Sequence, residues 1–357
     1  MTTKINPLYN QYFPVNGLAP NDWKPFKNYQ ALQGNEPSIP DFSISSEKTW
    51  IDTAKTISLI LLKIIIFPWG LYEVTKALIG RIVMLLVYPA QVIFTAREMD
   101  RLRQRVEATL EQNRDFVGRE VVLEKNGLRY TGLLFGHQSD ISNGKWALYA
   151  TGNSSTIEHI FLENGEVPYS RAGFNILLVN GPGVGRSEGL ATAERIGDAQ
   201  EVAISFLETA IKAKKIVLAG HSLGGAAIGK AALQHTFLPD VHYLAMRMMT
   251  FARLSQIAAK FEGSLAGKVI TWFGSEMDSV AASKKFQEQG IHEIVIQGGQ
   301  DEMMAQVDLL EALQKEDLME NKTGLLLPNA GHGDLPSGKI TEEIQKWDRS
   351  LEPALAV

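Results

Sequence analysis

From Trp146 onward short apolar runs alternate with helical patterns, and this alternation constrains the fold more than any other feature of the chain. The runs are WALYA (146 to 150), FNILLVN (174 to 180), KIVLAG (215 to 220), one near Val241 to Ala245, EIVIQG (293 to 298) and TGLLLP (323 to 328). They are apolar at successive positions, the texture of strands buried on both faces, and such strands need helices on both sides of a mostly parallel sheet. Helical patterns separate them, around Ile196 to Ala213 and from Gly224 onward. Ahead of them EVVLEK and LRYTGLLF flank Asn126-Gly127, a two-residue hairpin signal because both central residues of that turn take positive φ. The expected fold class is α/β, a mostly parallel central sheet flanked by helices and opened by an antiparallel hairpin, over residues 118–357. A small lid insertion is expected at about 246–290, where MTFARLSQIAAKF and SLAGKVITWF are amphipathic. These segments either line an acyl pocket or are plain packing helices.

Two further regions precede this unit. Residues 1–50 hold Pro7, Pro14, Pro20, Pro25, Pro37 and Pro40 among polar and aromatic residues, which reads as an extended arm lying against the body of the protein. Residues 51–117 read as an apolar and amphipathic helical region. Its most apolar part, 57–94, carries Lys63, Glu73, Lys76 and Arg81 and is cut by Pro68 and Pro89, so no uncharged run approaches the roughly 20 residues of a spanning helix. Each half has a narrow polar stripe and a wide apolar face. That pattern suits contact with a membrane surface, helped by Arg97, Arg101, Arg103 and Arg105, and it equally suits a helical pair packed on the domain. Ala96 to Phe116 reads as a charge-rich amphipathic helix closed by Gly118.

Composition removes several classes of function. A formal charge of −5 gives no global positive field to hold a nucleic acid, so no nucleic-acid partner is expected. With no cysteine, disulfides, thiolate metal sites and cysteine nucleophiles are excluded. The first residues lack a basic segment followed by an apolar run, so a cytoplasmic or peripheral membrane location is the expectation. The acidic C-terminal segment fits either an export signal of a specialised system or a solvated terminal helix.

The chemistry centres on Gly220-His221-Ser222-Leu223-Gly224-Gly225, which lies directly between the strand KIVLAG and the helical run AAIGKAALQ. A nucleophilic serine needs a strand, a sharp turn flanked by small residues, and a helix whose first amides face the developing oxyanion. Gly185-Arg186-Ser187-Glu188-Gly189 matches the same short pattern but sits in a loop with no helix starting at once, so Ser187 is a decoy. A serine hydroxyl also needs a base and an acid that orients it. Asp301 follows the strand EIVIQG, and His332 follows TGLLLP in Asn329-Ala330-Gly331-His332-Gly333. Glu302 and Asp278 are alternative acids. His137, His159, His221, His235, His242 and His292 are read as surface or packed residues.

With GHSLGG as the elbow, GGQD as the acid turn and AGHG as the histidine loop, the chain from about Glu120 onward resembles the α/β-hydrolase superfamily. The loop Asn180 to Ser187 is similar to the P-G-x-G-x-S segment of that superfamily. More loosely, the apolar N-terminal stretch with YATGNSS and NGPGVGRSEG resembles an α/β-hydrolase-like family found in chlamydiae and among Legionella secreted effectors. The resemblance implies an oxyanion hole from the amide of Leu223 and one amide of the loop after WALYA, with Asn153 as the second donor. Where many relatives have His-Gly, this chain has Thr151-Gly152-Asn153-Ser154.

No cofactor is expected. The dinucleotide pattern fails at Arg186 or Glu188, the phosphate-loop pattern fails at Asn180 and Arg186, and no metal-ligand spacing such as H-E-x-x-H occurs. The expected function is a serine hydrolase cleaving a carboxylic ester, a lipid or other acyl ester, through a Ser222 acyl-enzyme. A non-catalytic membrane-associated adaptor of the same fold, and a peptidase or thioesterase with the same triad, are the alternatives.

Overall fold

The computed structural model describes residues 42–44, 88, 96–112, 115–163, 167–272 and 274–352. The expected helical pair at 57–94, apart from Tyr88, and the arm, apart from 42–44, lie outside the described residues. Among the described residues nine strands form one sheet: β1 (Phe42–Ile44), β2 (Phe116–Lys125), β3 (Leu128–His137), β4 (Lys145–Ala150), β5 (Asn175–Val179), β6 (Lys215–His221), β7 (His242–Met248), β8 (His292–Gly298) and β9 (Lys322–Leu327). Their spatial order is β1-β2-β3-β5-β4-β6-β7-β8-β9. Strands β5, β4, β6, β7, β8 and β9 run parallel to one another, while β2 pairs antiparallel with β3 and β3 with β5. β1 adds a parallel edge strand beside β2.

The helices are α1 (Ala96–Gln112), α2 (Ile157–Leu162), α3 (Val167–Arg171), α4 (Ala193–Thr209), α5 (Leu223–Gln234), α6 (Leu254–Glu262), α7 (Ser264–Trp272), α8 (Ser279–Glu288), α9 (Leu309–Lys315) and α10 (Ser337–Ser350). Because side chains alternate across a strand, the continuous apolar runs feed both faces of the sheet. On β4, Trp146, Leu148 and Ala150 join the core beneath α4, α5 and α8, whereas Ala147 and Tyr149 join the core under α1, α2, α3 and α10. Ile216 and Leu218 of β6 divide from Val217 and Ala219 in the same way. Full burial of each large apolar side chain contributes about 1.5–3 kcal/mol, so interrupting either face would be costly.

The predicted hairpin is present, with Asn126 at φ 55° and Gly127 at φ 75° between β2 and β3. It extends further than its sequence pattern suggests. The ladder runs back to Phe116, paired with His137, so the helix expected through Phe116 ends at Gln112 and Gly118 lies within β2 opposite Phe135. A ten-residue ladder outcompetes one more helical turn because Val117, Val121 and Val122 bury on the sheet. α1 itself buries Met99, Leu102 and Val106. Met246 to Met248 complete β7, and α8 packs Val280, Ala282 and Phe286 into the core. Within the expected insertion, residues of α6 and α7 stand over the cavity beside Ser222. Among the described residues no helix is long and apolar enough to cross a membrane.

Candidate active site

β6 ends at His221 and α5 begins at Leu223, which leaves Ser222 alone to make the turn. Its backbone sits at φ 55° and ψ −122°, a conformation that costs a non-glycine residue about 1–3 kcal/mol and persists only when its surroundings enforce it. The Ser222 amide donates to the Met248 carbonyl at 2.9 Å, and Thr250 Oγ1 donates to the Ser222 carbonyl at 2.7 Å. The glycines of the motif permit the close approach. A Cβ on Gly220 would lie 2.4 Å from the Gly224 backbone, and one on Gly224 would lie 2.1 Å from the Ala150 carbonyl oxygen.

His332 brings its imidazole to this turn from the loop after β9. Its Nε2 is 3.0 Å from Ser222 Oγ, and its Nδ1 is 2.9 Å from Asp301 Oδ2. The Asp301 carboxylate, in the loop after β8, is fully buried. Met304 donates its amide to Oδ1 at 3.0 Å, and Gln297 Nε2 donates to Oδ2 at 3.3 Å. The three predicted residues therefore form one continuous hydrogen-bonded chain at the carboxyl ends of parallel strands, where such sheets collect functional groups.

Leu223 occupies the first turn of α5, where the backbone amide has no partner within the helix. Leu223 and Asn153 both line a cavity of about 310 Å³ that opens beside Ser222. Its walls are mainly apolar: Phe251 and Leu254, then Ile257, Ala258 and Phe261 of α6, and Met303 and Met304 beyond the acid. A larger concavity of about 780 Å³ lies around the opposite strand ends, near His242 and His292, and none of the three residues reaches it.

The alternative residues have other roles. Ser187 is buried, donates to the Asn180 carbonyl at 3.1 Å and accepts the Thr131 amide at 3.0 Å, so its hydroxyl ties its loop to β3. Asp278 caps α8 through the Ala281 amide and pairs with Arg253, while Glu302 is exposed. Of the remaining histidines, His221 belongs to the site in a way its sequence position did not reveal. Its Nε2 donates to the His332 carbonyl at 2.7 Å, and burial pushes its pKa down to about 4. Thr250, Gln297 and the Met304 amide also escaped the sequence reading. They meet Ser222 or Asp301 through folding alone and carry no local motif. Among the described residues no cluster of side chains is arranged to hold a metal ion.

This strand order, with a strained serine between a central parallel strand and its helix, is that of the α/β-hydrolase fold. The chain belongs to the family described as Chlamydia CHLPS protein (DUF818), which matches residues 49–322. The fold is similar to that of an α/β-hydrolase from Vibrio vulnificus, with 16% identity, 88% of this chain and 98% of that chain covered, and a TM-score of 0.53. An esterase of Pyrococcus furiosus aligns over 66% of this chain and 93% of its own, at 16% identity and a TM-score of 0.48. No curated protein sequence matches the chain.

Proposed function

We propose that the protein is a serine hydrolase that cleaves a carboxylic ester with an apolar acyl group. The observation that carries this reading is the unbroken contact from Asp301 through His332 to Ser222, at 2.9 and 3.0 Å, beside an apolar cavity. In this reading the acyl chain lies along Ile257, Phe261 and Met303, and the ester carbonyl sits over Ser222. His332 Nε2 takes the hydroxyl proton as Oγ bonds to the carbonyl carbon, and the oxyanion is held by the amides of Leu223 and of the loop at Asn153. His332 then gives that proton to the departing alcohol oxygen as the ester C–O bond breaks, leaving an acyl-Ser222. Water, deprotonated by the same imidazole, hydrolyses the acyl-enzyme and restores the serine. Asp301 keeps Nδ1 protonated and stabilises the imidazolium.

A lipid or other long acyl ester is the proposed substrate, because a 310 Å³ apolar cavity suits a hydrocarbon chain better than a charged group. Contact of residues 57–94 with a membrane surface is part of the same proposal, since it would bring the site to its substrate. The test is hydrolysis of a ladder of p-nitrophenyl esters from acetate to palmitate by the wild type and by Ser222→Ala. Turnover that peaks above the shortest ester and vanishes in the variant supports the reading. Turnover that survives in the variant, or a folded wild type inactive on every ester with and without liposomes, overturns it.

A further inference from the structure

Tyr88 belongs to the apolar stretch 57–94, yet it lies in the core, 4% exposed, beside the candidate site. Its hydroxyl is hydrogen-bonded to the backbone of Gly181 and to the side chain of Thr151. The packing is tight: a Cβ on Gly181 would lie 2.4 Å from the hydroxyl oxygen. Both partners stand just past carboxyl ends of neighbouring strands, Thr151 directly after β4 and Gly181 two residues after β5. Thr151 also opens the loop that faces the nucleophile. A Cβ on Gly152 would lie 3.8 Å from Ser222 Cβ, and Asn153 lines the cavity. On its other side the loop touches the elbow helix, where a Cβ on Gly224 would lie 2.7 Å from the Thr151 carbonyl oxygen. The loop is thus held between α5 and the phenol of Tyr88.

We propose that Tyr88 is a positioning residue for the oxyanion loop, its hydroxyl fixing Thr151 and Gly181 so that the amides at 152 and 153 are aimed before substrate arrives. The proposal rests on the serine hydrolase reading. Oxyanion donors accelerate acyl transfer because they need no reorganisation as charge develops, so a loosened loop should lower kcat more than it raises KM. A buried phenol with a merely structural role would instead change stability.

The test uses the full chain with Tyr88→Phe, which keeps the ring, Thr151→Val, which removes the partner hydroxyl, and the double variant. Each single variant should lower kcat on a p-nitrophenyl ester by about ten- to a hundred-fold with KM within about two-fold. The loss in the double variant should be less than the sum of the two single losses, since both remove the Tyr88–Thr151 contact, while Tyr88→Phe also loses Gly181 and Thr151→Val also loses the 3.4 Å bond from Thr151 Oγ1 to the Ser155 carbonyl. Amide hydrogen exchange at 151–153 should quicken in Tyr88→Phe while β6 keeps its protection. Unchanged kcat in Tyr88→Phe, additive losses in the double variant, or a uniform loss of protection across the sheet would each overturn the proposal. If the wild type hydrolyses no ester, the hydrolase reading fails, and the exchange comparison alone decides whether Tyr88 holds the loop.

Discussion

His221 Nε2 donates to the carbonyl oxygen of His332 across 2.7 Å, and the two rings lie 4.9 Å apart. The residue that precedes Ser222 therefore holds the backbone of the residue whose imidazole contacts the Ser222 hydroxyl. Burial keeps His221 neutral, so this bond persists across the pH range in which a catalytic imidazole titrates.

Replacing His221 by Leu keeps bulk and removes the donor. We expect kcat/KM to fall about ten-fold, the cost of one buried hydrogen bond to a loop that must stay in place. The acid limb of the pH–rate profile should not move, because a group with a pKa near 4 does not titrate where that limb lies. A profile from pH 5 to 9 checks this, and disappearance of the limb in the variant would assign it to His221.

Asp301→Asn keeps an oxygen for the Met304 amide, so the turn should fold as before. It no longer holds Nδ1 of His332 as a donor, and the imidazole loses the partner that stabilises its charge. A fall in kcat of about 10³–10⁴ is expected, with a melting temperature close to that of the wild type. A fall below ten-fold would pass the acid role to another carboxylate.

Lys260 of α6 donates to the carbonyl oxygens of Glu302, Met303 and Ala305 at 2.6, 3.1 and 3.0 Å. It fastens the helix over the cavity to the turn that follows Asp301. Lys260→Met should speed hydrogen exchange in residues 302–305 and lower kcat/KM about five-fold, equivalent to about 1 kcal/mol. Unaltered exchange there would show that the contact holds nothing in place.

Between α4 and α5, buried His235 lies 3.0 Å from Glu201 and 2.9 Å from Glu208. Burial alone would lower its pKa, but the two carboxylates outweigh it and raise it above the ordinary value. A histidine raised in the folded state adds stability that is complete below its unfolded pKa, near 6.5, and is lost as pH rises through the folded value. Burial alone would raise Glu201, but hydrogen bonds from His235 and Lys125 bring it down to about 2, so its own share is lost only in strong acid. His235→Asn should therefore destabilise the protein by about 1–3 kcal/mol at pH 6 and by clearly less at pH 9. Urea unfolding at the two pH values gives the comparison, and an equal loss at both would mean that folding leaves the titration of His235 unshifted.

Much of this molecule is legible in its sequence, for identifiable reasons. The β2–β3 hairpin announces itself because Asn126-Gly127 meets a turn that demands two positive φ angles. Ser222 stands out from Ser187 because only its neighbours change from strand to helix across one residue. Asp301 and His332 follow from the rule that parallel sheets gather their chemistry past the strand ends. The end of α1 is not legible, since the apolar spacing through Leu110 continues to Phe116 although Phe116 pairs with His137. Nor are His221 to His332 or Lys260 to the acid turn, because these partners are 111 and about 40 residues apart and meet only in the folded chain.

The most direct test of the central claim is the intact mass of the full-length protein after exposure to a fluorophosphonate probe, with wild type, Ser222→Ala and Ser187→Ala treated in parallel. One adduct on wild type and Ser187→Ala, and none on Ser222→Ala, is the result this account predicts. An adduct that persists on Ser222→Ala, or a folded wild type that takes none with or without liposomes, would contradict it.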